Sequence, residues 1–299
     1  MNIRSINPFV LLLAAVYYVP SWGLRGLRWK LLAQSLGDSI PLMPATAAAT
    51  AGNFLNLILP AKLGDLLWAH AAQRRWGMPY LRALVGVLSG RVLDLWVLLL
   101  LGLGAAWWWI QEFRSLVLLL LVLLGLSTLF SLLALRKNWL RALLRGPLSR
   151  FQGLHDLLAG SLARLFCHRM VITHVLITFA IWWIEAWVAL KIGQGMGLSF
   201  TLSVVFLAIA VANLSKIFPL TPASMGTYEA AAAIILIQLG WGYEAIFAFA
   251  LVEHVLKNVV NALLGVIALA CFDLPMLEVD REQILAQWRR WKSKAVRQA

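Results

Sequence analysis

Charge is scarce in this chain: only 13% of its 299 residues are Asp, Glu, Lys or Arg, against about a quarter in ordinary soluble domains. Cysteine is scarcer still. Cys167 and Cys271 stand far apart, with no CxxC spacing, so they point to neither a disulfide framework nor a metal site. No GxSxG, HExxH or Walker A pattern is present, which removes the familiar catalytic signatures. The apolar run after Arg4 leads into Trp22-Gly23-Leu24-Arg25 without a small-residue cleavage site, and so reads as a first membrane helix rather than a signal peptide. Apolar residues are abundant, at 62%, with a mean hydropathy of +0.81. These values describe an all-α integral membrane protein with a single membrane domain over residues 1–299. The net charge of +13 would suggest nucleic acid on a soluble chain. Here it is read as topology, with no nucleic-acid partner expected.

Spans are expected over Phe9–Leu24, Tyr80–Ile110, Ser115–Leu135, Val171–Leu190 and Ala245–Phe272, since about twenty apolar residues cross a hydrocarbon core of about 30 Å. Two further regions break. Leu42–Leu59 stops at Pro60, turns through Lys62-Leu63-Gly64-Asp65 and resumes to Trp76; Phe200–Phe218 stops at Pro219, turns through Pro222 and Gly226, and resumes over Glu229–Leu239. Both read as re-entrant or broken helical hairpins with corners at Pro60, Gly64, Pro219, Pro222 and Gly226. Irregular backbone at membrane depth is tolerated where protein or a water-filled cavity surrounds it. With the N-terminus outside, Arg25, Arg28, Lys30, Arg74, Arg75, Arg82, a loop over 136–170 and a tail over 273–299 are cytoplasmic, placing about nineteen of the 26 basic residues inside. The loop is amphipathic as well as basic, with leucines at helical spacing, and suits a surface of anionic headgroups. Trp107-Trp108-Trp109 fits an aromatic belt at the outer interface.

The order of features repeats. Asn53, Asn56, Pro60, Gly64-Asp65, Trp76-Gly77 and a span carrying Arg91 and Asp94 are followed by Asn213, Lys216, Pro219, Gly226, Glu229, Trp241-Gly242 and a span carrying Glu253 and Lys257. Residues 8–135 therefore read as a first repeat plus an extra span, and 171–272 as a second of inverted topology, an arrangement found in secondary transporters. Ionised groups inside a bilayer are costly and mark pathways or partners. Lys62, Asp65, Glu185, Lys216 and Glu229 join Arg91–Asp94 and Glu253–Lys257, whose three- and four-residue spacings allow intrahelical ion pairs. The structural alternative is that such pairs only lock the halves together. Asn53, Asn56, Asn213, Asn258 and Asn261 can likewise serve as hydrogen bonds between helices. Four cations against five anions do not select an anionic ligand. His254 with Asn258 one turn later faintly resembles intramembrane metalloproteases, but too few ligands accompany them, and no metal or cofactor is expected.

Arg28-Trp29-x-x-Leu32, Gly52-Asn53-x-x-Asn56-x-x-x-Pro60-x-Lys62-x-Gly64-Asp65, Arg91-Val92-x-Asp94 and Pro219-x-x-Pro222-x-x-x-Gly226-x-x-Glu229 together resemble the flippase-like transmembrane domain of bacterial lysylphosphatidylglycerol synthases and its free-standing YbhN-like relatives. The resemblance covers Phe9 to Phe272. Lys62 stands where arginine is common, Ala223-Ser224 replaces a frequent Gly-Gly pair, and the aminoacyl-transfer domain is absent, so lysyl transfer is not carried over. The resemblance implies a non-enzymatic protein of the bacterial inner membrane that moves a phospholipid or polyprenyl-phosphate-linked lipid between leaflets. On the residues themselves, the buried polar groups Asn53, Asn56, Lys62, Asp65, Arg91, Asp94, Asn213, Lys216, Glu229, Glu253, Lys257 and Asn258 would line the path, and the expected depth of Glu229, Glu253 and His254 suggests proton coupling through one of them. Membrane lipids are the expected partners, with a lipid-modifying enzyme or a second copy of the chain as protein partners. The competing readings are an enzyme that modifies a lipid headgroup and a non-catalytic envelope-assembly factor.

Overall fold

The computed structural model describes residues 7–107, 113–135, 168–216 and 221–276, and all regular structure among them is helical. Nine α-helices occur in these residues: α1 (Pro8–Ser35), α2 (Leu42–Ile58), α3 (Leu63–Trp76), α4 (Tyr80–Ala106), α5 (Arg114–Leu135), α6 (His168–Gly195), α7 (Leu202–Ser215), α8 (Thr227–Gln238) and α9 (Tyr243–Cys271). Pro8–Ser35, Tyr80–Ala106, Met170–Gly195 and Tyr243–Cys271 are each long and apolar enough to cross a membrane. Arg114–Leu129, Leu202–Ser215 and Thr227–Gln238 are apolar but shorter. Most of the loop over 136–170, most of the tail after residue 273, and Trp108 and Trp109 lie outside the described residues.

The first span was expected to end at Leu24 with Arg25 and Arg28 beyond it as cytoplasmic loop residues. Instead α1 continues to Ser35 and buries Arg28 against α4 and α6. The helix can continue because both guanidinium groups meet carboxylates on neighbouring helices, which offsets the cost of removing them from water. About seventeen basic residues then remain on the expected cytoplasmic side.

Helix ends follow from local chemistry. Pro8 occupies the first turn of α1, where its missing N–H is harmless, and the Asn7 side chain accepts from the Phe9 amide at 2.9 Å. After α1 and again after α6 the chain leaves through a left-handed glycine, Gly37 and Gly197, with the same pattern of bonds. The Asp38 amide reaches the Ala33 carbonyl at 3.0 Å, and the Leu198 amide reaches the Gly193 carbonyl at 2.9 Å.

The corners after α2 and α7 also use one device. Pro60-Ala61-Lys62 and Pro222-Ala223-Ser224 form single 3-10 turns, in which Ala61, Lys62, Ala223 and Ser224 have φ of 52°, 55°, 51° and 58°. A non-glycine residue in this region costs roughly 1–3 kcal/mol and persists where its surroundings hold it, commonly at functional sites.

Packing is reciprocal. α1 lies on α6; α2 leans on α9 and α7 on α4; α3 bridges α2 to α4, and α8 bridges α7 to α9. Glycines on the helices that face α2 make this possible. A side chain at Gly265 of α9 would stand 2.2 Å from Phe54 Cβ, and one at Gly26 of α1 would stand 2.0 Å from Thr46 Oγ1, so both contacts are backbone-close. One apolar cluster gathers around α6, α7 and α9 and another around α2, α3 and α4. α5 packs on the outside of α4.

Candidate functional site

Between the two clusters lies a polar cavity of about 310 Å³. It is lined from both corners, by Pro60, Ala61 and Lys62 on one side and by Ala223 and Ser224 on the other, with α1, α2, α4, α6, α7 and α9 closing the walls. All four left-handed non-glycine corner residues therefore face the same space. Of the expected path residues, Asn53, Asn56, Lys62, Arg91, Asp94, Asn213, Lys216, Lys257 and Asn258 line it. Asp65, Glu229 and Glu253 stand behind, each bonded to a neighbour.

Helix geometry explains the first cluster. Asp65 is the third residue of α3, where a carboxylate complements the helix N-terminus. Arg91 from α4 binds it with two bonds, Nη2 to Oδ1 at 2.7 Å and Nε to Oδ2 at 3.1 Å, and also donates to Asn53 Oδ1 at 3.0 Å. Asn56 donates to Asp65 at 2.8 Å. Gly64 sits tight under this cluster, because a side chain there would meet the Gly52 carbonyl at 2.1 Å.

The expected Arg91–Asp94 pair does not form. Asp94 instead accepts two bonds from Arg28, at 2.7 and 2.9 Å, and one from the Trp182 indole at 3.1 Å. Arg28 completes its set on Thr178 at 2.8 Å. A three-residue spacing permits an intrahelical contact, but a bidentate guanidinium–carboxylate fork from a facing helix has the better geometry. Glu253 and Lys257 do pair along α9, as their four-residue spacing suggests. Lys257 also reaches Glu185 of α6 at 2.8 Å, and Glu185 accepts from Arg25 at 2.5 Å. Tyr228 donates to Glu253 at 2.9 Å.

Glu229 is the third residue of α8. It accepts the Gly226 amide at 2.7 Å and lies 2.7 Å from His254 Nδ1. His254 stacks on Tyr228 with ring centroids 4.2 Å apart. Pro219 lies outside the described residues. Among the described residues no three His, Cys, Asp or Glu side chains gather as a metal set.

Two cations remain. Among the described residues no ion pair includes Lys62 or Lys216, both of which line the cavity. Lys216 holds its ammonium 4.1 Å over the Tyr228 ring. The formal count of four cations and five anions is thus superseded by pairing. Arg25 and Arg28 from α1 join the set, the carboxylates are engaged, and the two lysines face the cavity.

Sequence reasoning missed Arg25, Arg28, Tyr18, Trp22, Trp182 and Tyr228, and left Glu185 out of the path. One signal could have recovered Arg25: a lone carboxylate such as Glu185 in a span requires a cation, and Arg25 directly follows the expected end of the first span at Leu24.

The sequence profile described as the lysylphosphatidylglycerol synthase TM region matches residues 2–265. The glycosyltransferase AglD of Haloferax volcanii is 26% identical over 309 aligned positions, which cover 87% of this chain and 48% of the relative, so the chain spans about half the length of the curated relative it matches. No solved structure matches the chain. The extent of the profile match is decisive: the chain belongs to the family of the lysylphosphatidylglycerol synthase TM region.

Proposed function

Starting from that membership, we propose that this protein moves a phosphate-bearing lipid between leaflets, the headgroup crossing through the cavity while the acyl or prenyl chains stay in the bilayer. The observation that carries the reading is the pair Lys62 and Lys216, one beside each corner, facing a polar cavity without a carboxylate partner among the described residues. Ammonium groups facing polar space suit phosphate oxygens. The volume suits a headgroup and not a whole lipid. A phospholipid and a polyprenyl-phosphate-linked lipid share this chemistry, and the glycosyltransferase name of the relative favours including the second in any test.

The architecture belongs to the same proposal. Residues 8–135, with α5 as an extra span, and 171–272 form two inverted repeats, each with a re-entrant hairpin, in a bacterial inner membrane with the N-terminus outside and the C-terminus, the loop over 136–170 and the tail over 273–299 inside. What supports the repeat is residue-level register. Trp22 and Trp182, Arg25 and Glu185, Gly37 and Gly197, and Asn53 and Asn213 keep one 160-residue separation, the separation of the Arg25–Glu185 bond. Both asparagines donate back to a carbonyl four residues earlier at 2.9 Å. Past the corners, Arg91 and His254 are each the twelfth residue of their helix, and Asp94 and Lys257 each the fifteenth.

The test is leaflet exchange of headgroup-labelled lipids in proteoliposomes, comparing anionic phospholipid, zwitterionic phospholipid and polyprenyl phosphate. Wild type accelerates exchange of at least one phosphate lipid, and Lys62→Ala with Lys216→Ala removes the acceleration. Exchange no faster than in empty liposomes for every lipid overturns the reading.

A further inference from the structure

We propose that the His254–Glu229 pair is a proton-binding site that sets how firmly the second corner is held, a role its counterpart in the first corner cannot play. The argument rests on the equivalence of the two corners proposed above and needs no transported lipid. In both halves the third residue of the short helix is a carboxylate, and the twelfth residue of the following long helix binds it: Asp65 with Arg91, Glu229 with His254. Arginine stays charged at every accessible pH, so the first corner is closed by a permanent ion pair. Imidazole, unlike guanidinium, can gain and lose its proton at accessible pH, so the second closure is conditional.

The pair is buried, with His254 and Glu229 each 1% exposed. His254 Nδ1 faces Glu229 Oε1, and Nε2 is buried with no partner among the described residues. In the neutral form Nδ1–H donates to the carboxylate. A hydronium ion gives its proton to the free Nε2 lone pair, one hydronium O–H bond breaking to leave neutral water, and the contact becomes imidazolium–carboxylate. Glu229 transmits the change, because its other oxygen accepts the Gly226 amide at the start of α8. The groups facing the pair are Lys216 from the end of α7, which opposes the charge, and Glu253 on α9, which favours it; Tyr228 of α8 stacks on the ring. Beyond Glu253 stand Lys257, Glu185 of α6 and Arg25 of α1, linking the site to the cavity wall. The proton makes the second corner resemble the first and tightens it.

The experiment reads the corners directly. In proteoliposomes of the full chain carrying Cys167→Ser and Cys271→Ser, the maleimide reaction rate of Ala223→Cys is divided by that of Ala61→Cys. These are left-handed alanines at matching places, both lining the cavity, and the ratio removes the common effect of pH on thiolate. The ratio rises about fivefold from acid to mildly alkaline pH, as a charge-assisted bond gives way to a neutral one. It is flat with pH in both His254→Gln and Glu229→Gln. A ratio constant with pH in wild type overturns the proposal, as does a slope that persists in a folded His254→Gln or Glu229→Gln protein. Failed lipid exchange leaves this ratio unaffected, so the transport reading and the proton site fail separately.

Discussion

Arg25 of α1 donates to Glu185 of α6 at 2.5 Å, and each stands three residues after a tryptophan, Trp22 or Trp182, whose ring lies 4.8 or 5.9 Å from the Arg25 guanidinium. The two partners are not equally important. Glu185 holds Arg25 and Lys257 together, so its loss leaves Arg25 without its bonded carboxylate and Lys257 with Glu253 alone, whereas loss of Arg25 leaves Glu185 paired to Lys257. Glu185→Ala is expected to destabilise by about 3–5 kcal/mol and Arg25→Ala by roughly 1–3 kcal/mol. Thermal unfolding of the purified protein in detergent checks the order. An Arg25→Ala protein that melts at or below the Glu185→Ala protein sinks the argument.

The exchange of partners around Asp94 is testable by coupling energies. Arg91 should couple to Asp65 and Arg28 to Asp94 by about 1–3 kcal/mol each, while Arg91 and Asp94 couple by no more than a few tenths. Double-mutant cycles of Arg91→Gln with Asp65→Asn, and of Arg91→Gln with Asp94→Asn, give the comparison. A larger coupling in the second cycle would restore the intrahelical pair that spacing suggests.

Backbone proximity of α2 and α9 makes its own prediction. Gly265→Ala places a carbon 2.2 Å from Phe54 Cβ, which cannot swing away, so the helices must part. The expected loss is about 1–3 kcal/mol, read as a lower melting temperature. Phe54→Ala leaves the clashing carbon in place and does not rescue it. Gly125→Ala on α5, where nothing lies within 4 Å, should be neutral or gain up to about 1 kcal/mol of helix propensity. Equal effects at the two glycines would contradict the close crossing.

Most helix boundaries could be read from the chain because apolar runs, prolines and glycines mark them: α2 and α8 begin and end within two residues of expectation. The expected end of α1 at Leu24 falls short because Arg25 and Arg28 read as interface residues until Glu185 and Asp94 are known to face them. The same limit governs the site. Spacing along a helix identifies Glu253 with Lys257, but only tertiary packing decides that Arg91 takes Asp65, or that Tyr18, Trp22 and Trp182 join the cavity wall. Left-handed backbone at Ala61, Lys62, Ala223 and Ser224 was invisible, since neither alanine nor lysine favours it.

If the cavity is an anion site, the two lysines are the groups that should make it one. Each ammonium would exchange water for a phosphate oxygen, a charged bond worth about 1.5–3 kcal/mol, so loss of one lysine should weaken a bound phosphate roughly ten- to hundredfold. Short-chain phosphatidic acid titrated calorimetrically into detergent-solubilised protein measures this, with Lys62→Ala and Lys216→Ala compared singly and together. If each lysine meets a different oxygen, the losses in free energy add. If they share one, the second removal costs less than the first. Lys216 already lies over the Tyr228 ring, so part of its attraction is spent at rest and Lys62→Ala should be the more damaging single change. Affinity that is unchanged in the double variant would mean that the lysines do not hold phosphate, and the cavity would lose its claim to the headgroup.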